Sequence, residues 1–305
     1  MNASAVATNI PVERRFPLDL HEADNRIRAL YETAKQSHWN PDTDIDWATH
    51  QLDALDRATR DACRRVWSRR AWVEYTGMAA TPALLIRFCL ELNRESDPKY
   101  FLAVRNTEEA WHIECFHRYA ETAGGYVDRP DNAAWETVFN QNQYRDALDA
   151  GVPIDTQVAV HCAFVDSLEQ RLARGWASNA TEPLAHALLA RCLPDYERHA
   201  RFGLLYAERR AATLDTAQRA QVARALIDYI TRVEFAGYHC AGLATRIDPS
   251  PECADLDRVA AAGLGACSAA DEIACFRTAL EQTRVAMGTL GLELPAIDHP
   301  RLGRF

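Results

Sequence analysis

Apolar residues recur at three- and four-residue spacing through most of the chain. No Val/Ile/Thr-rich run alternates with polar residues between turn signals. The period is helical, so the pattern predicts an all-α protein. A first helix is expected over about 18–36, followed by the turn-forming linker SHWNPDTDIDW. A long helical stretch runs from about 45 into the nineties, with Pro82 marking a kink or a junction. Asp97-Pro98 and Glu182-Pro183 each open a long helix, because proline suits the first helical position after an acid. Between them lie the loop GGYVDRPDN, a short helix over about 133–150, and a helix running from Pro153 to about 178. Two or three further helices fill 214–290, broken at DPSPE, and the tail LPAIDHPRLGRF reads as irregular. No domain linker or low-complexity segment interrupts this series, so residues 1–305 are expected to form a single helical domain.

Two of these helices resemble each other. EEAWHIECFHRYAE (108–121) and DYERHARFGLLYAE (195–208) superpose with an offset of 87 residues. Glu108, His112 and Tyr119 fall on Asp195, His199 and Tyr206, while Glu109 falls on Tyr196. The same shift carries Glu74, in AWVEYTG, onto His161, in VAVHCAFV. The chain thus reads as two helix pairs, roughly 60–122 and 153–210, each with a polar residue of ligand type on its first helix and an acid plus histidine on its second. An acid three or four residues before a histidine shares its helical face, so both can reach one centre. In di-iron carboxylate bundles two helices give a Glu each and two give Glu-x-x-His. Glu109 and His112 have that spacing.

TEEAWHIECFHRY, CLPDYERHARFG and AKQSHWNPDTDIDW together resemble segments of the ferritin-like and haem-oxygenase-like non-haem di-iron oxygenases, with p-aminobenzoate N-oxygenase and the ribonucleotide reductase small subunit as the nearest types. The resemblance covers roughly residues 30–210. It implies a ferritin-like four-helix bundle with additional N- and C-terminal helices and a metal-binding core over about 60–210. It also implies two non-haem irons, with manganese an option at one position. The implied ligands are Glu74, Glu109, His112, Asp195 and His199, with His161 or Glu169 as the sixth and Asp166 as a third candidate. His161 and Glu169 are two turns apart, about 12 Å along a helix, so both are not expected on one ion. The sequence departs from the family at Tyr196, where a fourth-helix Glu is usual; Asp195 then supplies the carboxylate at i, i+4 from His199.

Other acids and histidines carry less. Glu114 and His117 repeat the Glu-x-x-His spacing but point about 140° away from Glu109 and His112 respectively, onto the outer face. His21, His38, His50 and His186 lie in polar or loop contexts, and Glu234 and His239 read as packing residues rather than residues bordering the site. A net charge of −9 argues against nucleic acid or an anionic membrane as partner. No run of apolar residues reaches membrane-spanning length and no secretory segment is visible at the N-terminus. Nine cysteines without a Cys-x-x-Cys pair fit reduced thiols in a cytoplasm.

The expectation is an O2-dependent di-iron oxidoreductase, a monooxygenase or oxidase. Its substrate would be a small organic molecule of amine or amino-acid type, as in natural product biosynthesis, oxidised by N-oxygenation or C–H oxidation. O2, that substrate and an electron donor are the expected partners, and a homodimer is left open. The rivals are a radical-generating or ferroxidase bundle, which Tyr196 keeps in view, and a degenerate helical scaffold without catalysis.

Overall fold

The computed structural model describes residues 16–91, 95–141 and 143–305. Its helices are α1 (Asn25–Gln36), α2 (Arg57–Glu74), α3 (Gly77–Leu90), α4 (Ser96–Thr122), α5 (Ala134–Phe139), α6 (Tyr144–Leu148), α7 (Ile154–Val158), α8 (Asp166–Ser178), α9 (Pro183–Ala211), α10 (Thr216–Arg232), α11 (Ser250–Ala261) and α12 (Ala269–Thr289). A π-helical segment, Ala159–Val165, joins α7 to α8. The fold is the expected all-α bundle: α2 packs on α4, α8 and the π-helical segment pack on α9, and α4 meets α9 between the pairs.

Helix phase explains which side chains reach the centre. Along α2 a 3.6-residue stripe of buried positions runs through Thr59, Ala62, Cys63, Val66, Trp67, Arg70 and Ala71 and ends on the carboxylate of Glu74. Along α4 the stripe runs through Phe101, Leu102, Arg105, Glu108, Glu109, His112, Cys115, Phe116 and Tyr119. Along α9 it includes Leu188, Leu189, Cys192, Asp195, Tyr196, His199, Phe202, Gly203 and Tyr206. In each helix charged or polar residues occupy positions whose phase belongs to the apolar core. Burying them has a cost that only partners or a bound cation can offset.

Of the two acid-proline signals, Glu182-Pro183 sets a helix start as expected, while α4 begins one residue before Asp97, at Ser96 with Glu95 as N-cap. Glu182 caps α9, accepting from the Ala185 N–H at 2.7 Å, and also receives the Tyr119 hydroxyl at 2.9 Å. Asp97 accepts from the Ala23 and Asp24 N–H groups at 2.7 and 2.9 Å and pairs with Arg28, fixing the start of α1 to α4. The first helix begins at Asn25 rather than near 18, because Asp24 takes the N-cap and bonds Arg26 N–H. The long stretch expected from 45 into the nineties resolves into two single 3₁₀ turns, α2 and α3, and the break falls at Tyr75–Thr76. Pro82 lies inside α3, near its beginning. The helix expected over 133–150 is two short pieces, α5 and α6. The tail forms a small hairpin, β1 (Asp298–His299) with β2 (Gly303–Arg304), where an irregular end was expected.

α9 crosses the π-helical segment at very close range. A Cβ on Gly203 would lie 1.8 Å from the Cys162 carbonyl oxygen, so only glycine lets the two backbones meet. All nine cysteines lie among the described residues and are free thiols. Among the described residues no helix is long and apolar enough to cross a membrane.

Candidate metal centre

Glu74, Glu108, Glu109, His112, His161, Asp166, Asp195, Tyr196 and His199 are all buried. The His112 and His199 rings, from α4 and α9, stand 6.2 Å apart between centroids. His112 presents Nδ1 to Glu74 Oε1 at 2.9 Å and Nε2 to Asp195 Oδ2 at 3.1 Å. His199 presents Nε2 to Glu108 Oε2 at 2.8 Å. The internal repeat thus has a spatial meaning: the acid of each copy braces the histidine of the other. Arg198 ties the two braces together, donating to Glu108 Oε1 at 2.5 Å and to Asp195 Oδ1.

Asp195, expected from the sequence as a ligand, has both oxygens engaged. The Trp39 indole N–H donates to Oδ2 at 3.0 Å beside the contact with His112, and Arg198 takes Oδ1. Glu74 and Asp195 sit at opposite edges of the His112 ring. An ion held by Glu74 and Nδ1 would therefore lie across the ring from Asp195. Tyr196 points inward, its hydroxyl donating to Glu74 Oε2 at 2.7 Å and its ring 4.7 Å from that of His112. Residues 195 and 196 are both buried, and both reach the centre, Asp195 at His112 and Tyr196 at Glu74.

The third-helix candidates occupy three different settings. Asp166 Oδ1 accepts from Arg105 at 2.7 Å. Glu169 Oε1 faces His239 Nε2 at 3.2 Å, and His239 Nδ1 faces Glu234 at 2.8 Å. His161 lies beside the Tyr229 ring, 5.6 Å between centroids, and burial holds its imidazole down to about 4, hence neutral. His161 and Glu169 nevertheless line one small cavity together with Glu74, Glu109 and His239. His239 thus borders the site and Glu234 stands behind it, where the sequence favoured packing for both.

Glu109 is under electrostatic strain. Burial pushes its carboxyl up to about 7 against the attraction of Arg105, and the charges of Glu74 and Glu169 add to the rise. Thr81 donates to Oε1 at 3.0 Å, and the absent side chain of Gly77 makes room, since a Cβ there would lie 2.4 Å from Oε1. Buried carboxylates that repel one another across a polar cavity suit a cation. As the side chains stand, however, no group of three or more His, Cys, Asp or Glu among the described residues is gathered tightly enough to hold one. The reason is visible in the contacts: Glu109 and Asp166 are drawn to Arg105, and Glu169 to His239. The donor set fits a carboxylate- and imidazole-ligated metal once these pairs loosen. Asp166 Oδ2, buried without a hydrogen-bond partner, is an acceptor already in place.

Sequence reading alone did not identify Arg105, Arg198, Trp39 or Thr81. Arg105 could have been found as a charge one turn before Glu109 at a core position, and Arg198 as a charge one turn after Asp195. The expected outer positions hold: Glu114 and His117 are exposed, as are His21, His38 and His186, while His50 is half-buried.

A cavity of about 180 Å³ reaches the centre, touching Glu74, Glu169 and Tyr196. Val66, Trp72, Trp135, Leu172, Trp176 and Leu256 give it apolar walls.

No protein-family model and no curated protein matches the chain. Solved structures do. An R2-like ligand-binding oxidase with aerobically reconstituted Mn/Fe cofactor aligns with TM-score 0.63 at 15% identity, covering 87% of this chain and 92% of that one. A point mutant of an R2-like ligand-binding oxidase, also with Mn/Fe, gives TM-score 0.65 at 15% identity, covering 85% and 93%. Another mutant, with a non-activated Mn/Mn cofactor, gives 0.60 at 16%, covering 86% and 92%. The chain has the ferritin-like, R2-type helical-bundle fold.

Proposed function

We propose that the protein is an O2-dependent oxidase that works through a non-haem dimetal centre, iron with iron or iron with manganese, held between α2, α4, α8 and α9. The observation that carries this reading is the reciprocal pair of braced histidines, His112 against Asp195 and His199 against Glu108, facing buried Glu74 and Glu109. A metal-ligating histidine commonly gives its other nitrogen to a carboxylate, which fixes the ring and raises its basicity. Both histidines here have that arrangement, which leaves Nδ1 of each for the metal. The R2-like oxidases that share the fold carry Mn/Fe or Mn/Mn.

Glu74, Glu109, His112 and His199 are the proposed ligands, with Glu169 or His161 from the third helix. Asp195 and Glu108 orient the histidines and do not touch the ions. The metals, when bound, supply O2 reduction and substrate oxidation. The chain's own residues bind and orient. Carboxylates suit the site because they can change binding mode as charge changes on the metals. Tyr196 holds Glu74 by its hydroxyl, and Trp72, Trp135 and Trp176 give the cavity apolar walls.

The finer reading concerns substrate. Arg69 and Arg70 line the cavity together with Glu252 and Glu272, offering partners for both ends of a zwitterion, while Arg65 and Asp255 pair with each other. This supports N-oxygenation or C–H oxidation of a small amine- or amino-acid-like molecule. A second reading, a tyrosyl radical at Tyr196, draws on its burial and its bond to Glu74. A radical signal that vanishes in Tyr196→Phe would favour it.

The test is anaerobic reconstitution with ferrous iron, with metal content and O2 uptake measured in turn. Wild-type protein should take up iron and then consume O2, and His112→Ala and His199→Ala should each lower iron content sharply. Full iron content in both variants would overturn the reading.

A further inference from the structure

Arg105 is one of the charged side chains in which the two halves of the centre differ. Arg105 sits one turn before Glu109 on α4 and turns its guanidinium to the same face. It contacts Glu109 Oε1 at 2.8 Å and Asp166 Oδ1 at 2.7 Å, and it donates to the Thr81 hydroxyl. All four residues are buried. The 87-residue repeat places Cys192 at the corresponding position of the second copy, so the fold does not itself require an arginine there. Arg198, the other buried arginine of the centre, pairs with the outer acids Glu108 and Asp195 and leaves Glu74 and the Nδ1 edge of His112 alone. The repeat also puts Tyr196 opposite Glu109, so one carboxylate is missing from the second copy.

We propose that Arg105 is a built-in cation that competes for one of the two metal positions, so that the centre loads in two unequal steps. The inference rests on the dimetal reading above. The first ion binds at Glu74 and His112, where Glu74 meets His112 and Tyr196 and Arg70, one turn before it, is turned to the Gly265 carbonyl. The second needs Glu109, and Glu109 is held by the guanidinium. Arg105 has somewhere to go. Asp166 Oδ2 and Arg105 Nε are both buried without hydrogen-bond partners, so the guanidinium can swing from Glu109 onto Asp166 as a two-bonded pair. Asp166 then serves as the parking acceptor, and not as a metal ligand. Separating a buried arginine from its carboxylate opposes binding of the second ion, because the pair must be replaced in a setting with no water to compensate.

The experiment titrates Mn(II) into the anaerobic protein, reading binding by calorimetry and the ion's environment by electron paramagnetic resonance. Wild-type protein should bind a first equivalent that gives the six-line spectrum of an isolated ion. A second should bind at least about 100-fold more weakly, with the spectrum broadening as the ions couple. Arg105→Met should tighten the second step by about tenfold or more and leave the first unchanged. Asp166→Asn weakens the parking site and should loosen the second step further, again without moving the first. Should Arg105→Met fail to fold, the stepwise wild-type curve and Asp166→Asn still decide. Two equivalents of equal affinity in wild type, or a first step that moves as much as the second in either variant, would overturn the assignment of Arg105 alone. No Mn(II) bound by any of the proteins would overturn the dimetal reading beneath it.

Discussion

Asp195→Ala separates a ligand from a brace. The Asp195 side chain accepts from Trp39 at 3.0 Å, meets His112 Nε2 at 3.1 Å, and pairs with Arg198, all in the interior. Removing it leaves an indole N–H without its acceptor, at a cost of about 1–3 kcal/mol. It also breaks a buried ion pair, typically about 3–5 kcal/mol. Arg198 keeps Glu108 at 2.5 Å, so the two costs do not add in full, and a loss of about 3–5 kcal/mol is expected. That is a large part of the roughly 5–15 kcal/mol by which a domain is stable. The loss belongs to the protein itself, so it should appear in guanidinium unfolding carried out in excess chelator. With metal present, affinity should fall about 10–100-fold, the usual effect of removing a residue that orients a ligand. A ligand would behave in the opposite way: its removal leaves stability in chelator unchanged or improved, and abolishes one metal position. Unchanged stability in chelator, within about 0.5 kcal/mol, together with one lost metal would refute the brace.

Two further outcomes are expected. Tyr196→Phe removes the 2.7 Å hydrogen bond to Glu74, so stability should fall by about 1.5–3 kcal/mol while metal content is retained; loss of metal in this variant would make the tyrosine a ligand. Gly203→Ala forces a Cβ to within 1.8 Å of the Cys162 carbonyl, backbone against backbone, and should lower stability by about 3 kcal/mol in thermal unfolding; an unchanged melting temperature would contradict the close approach of α9 to the π-helical segment.

The sequence by itself determined the helices and the face each one buries. Periodicity is local, and the acid-proline pairs at Asp97-Pro98 and Glu182-Pro183 are local stop-start signals, so α4 and α9 could be read without knowledge of their neighbours. The same phase put Glu74, Glu109, His112 and His199 on inward stripes. The repeat was legible too, but its meaning was not. Overlaying Glu108 on Asp195 suggested an acid serving the histidine of its own helix. In space each acid serves the histidine of the other helix, because an i, i+4 pair shares a face without having to touch, and the nearest partner is chosen by how α4 and α9 cross. Local pattern likewise could not foresee the π-helical segment, which meets α9 at Gly203, nor the break at Tyr75–Thr76, which a proline seven residues later disguised. Arg105 shows the limit most plainly. An arginine in a helix is ordinarily a solvated charge; only the convergence of α3, α4 and α8 turns this one inward, between Glu109 and Asp166, where charge must be met by charge because water is excluded.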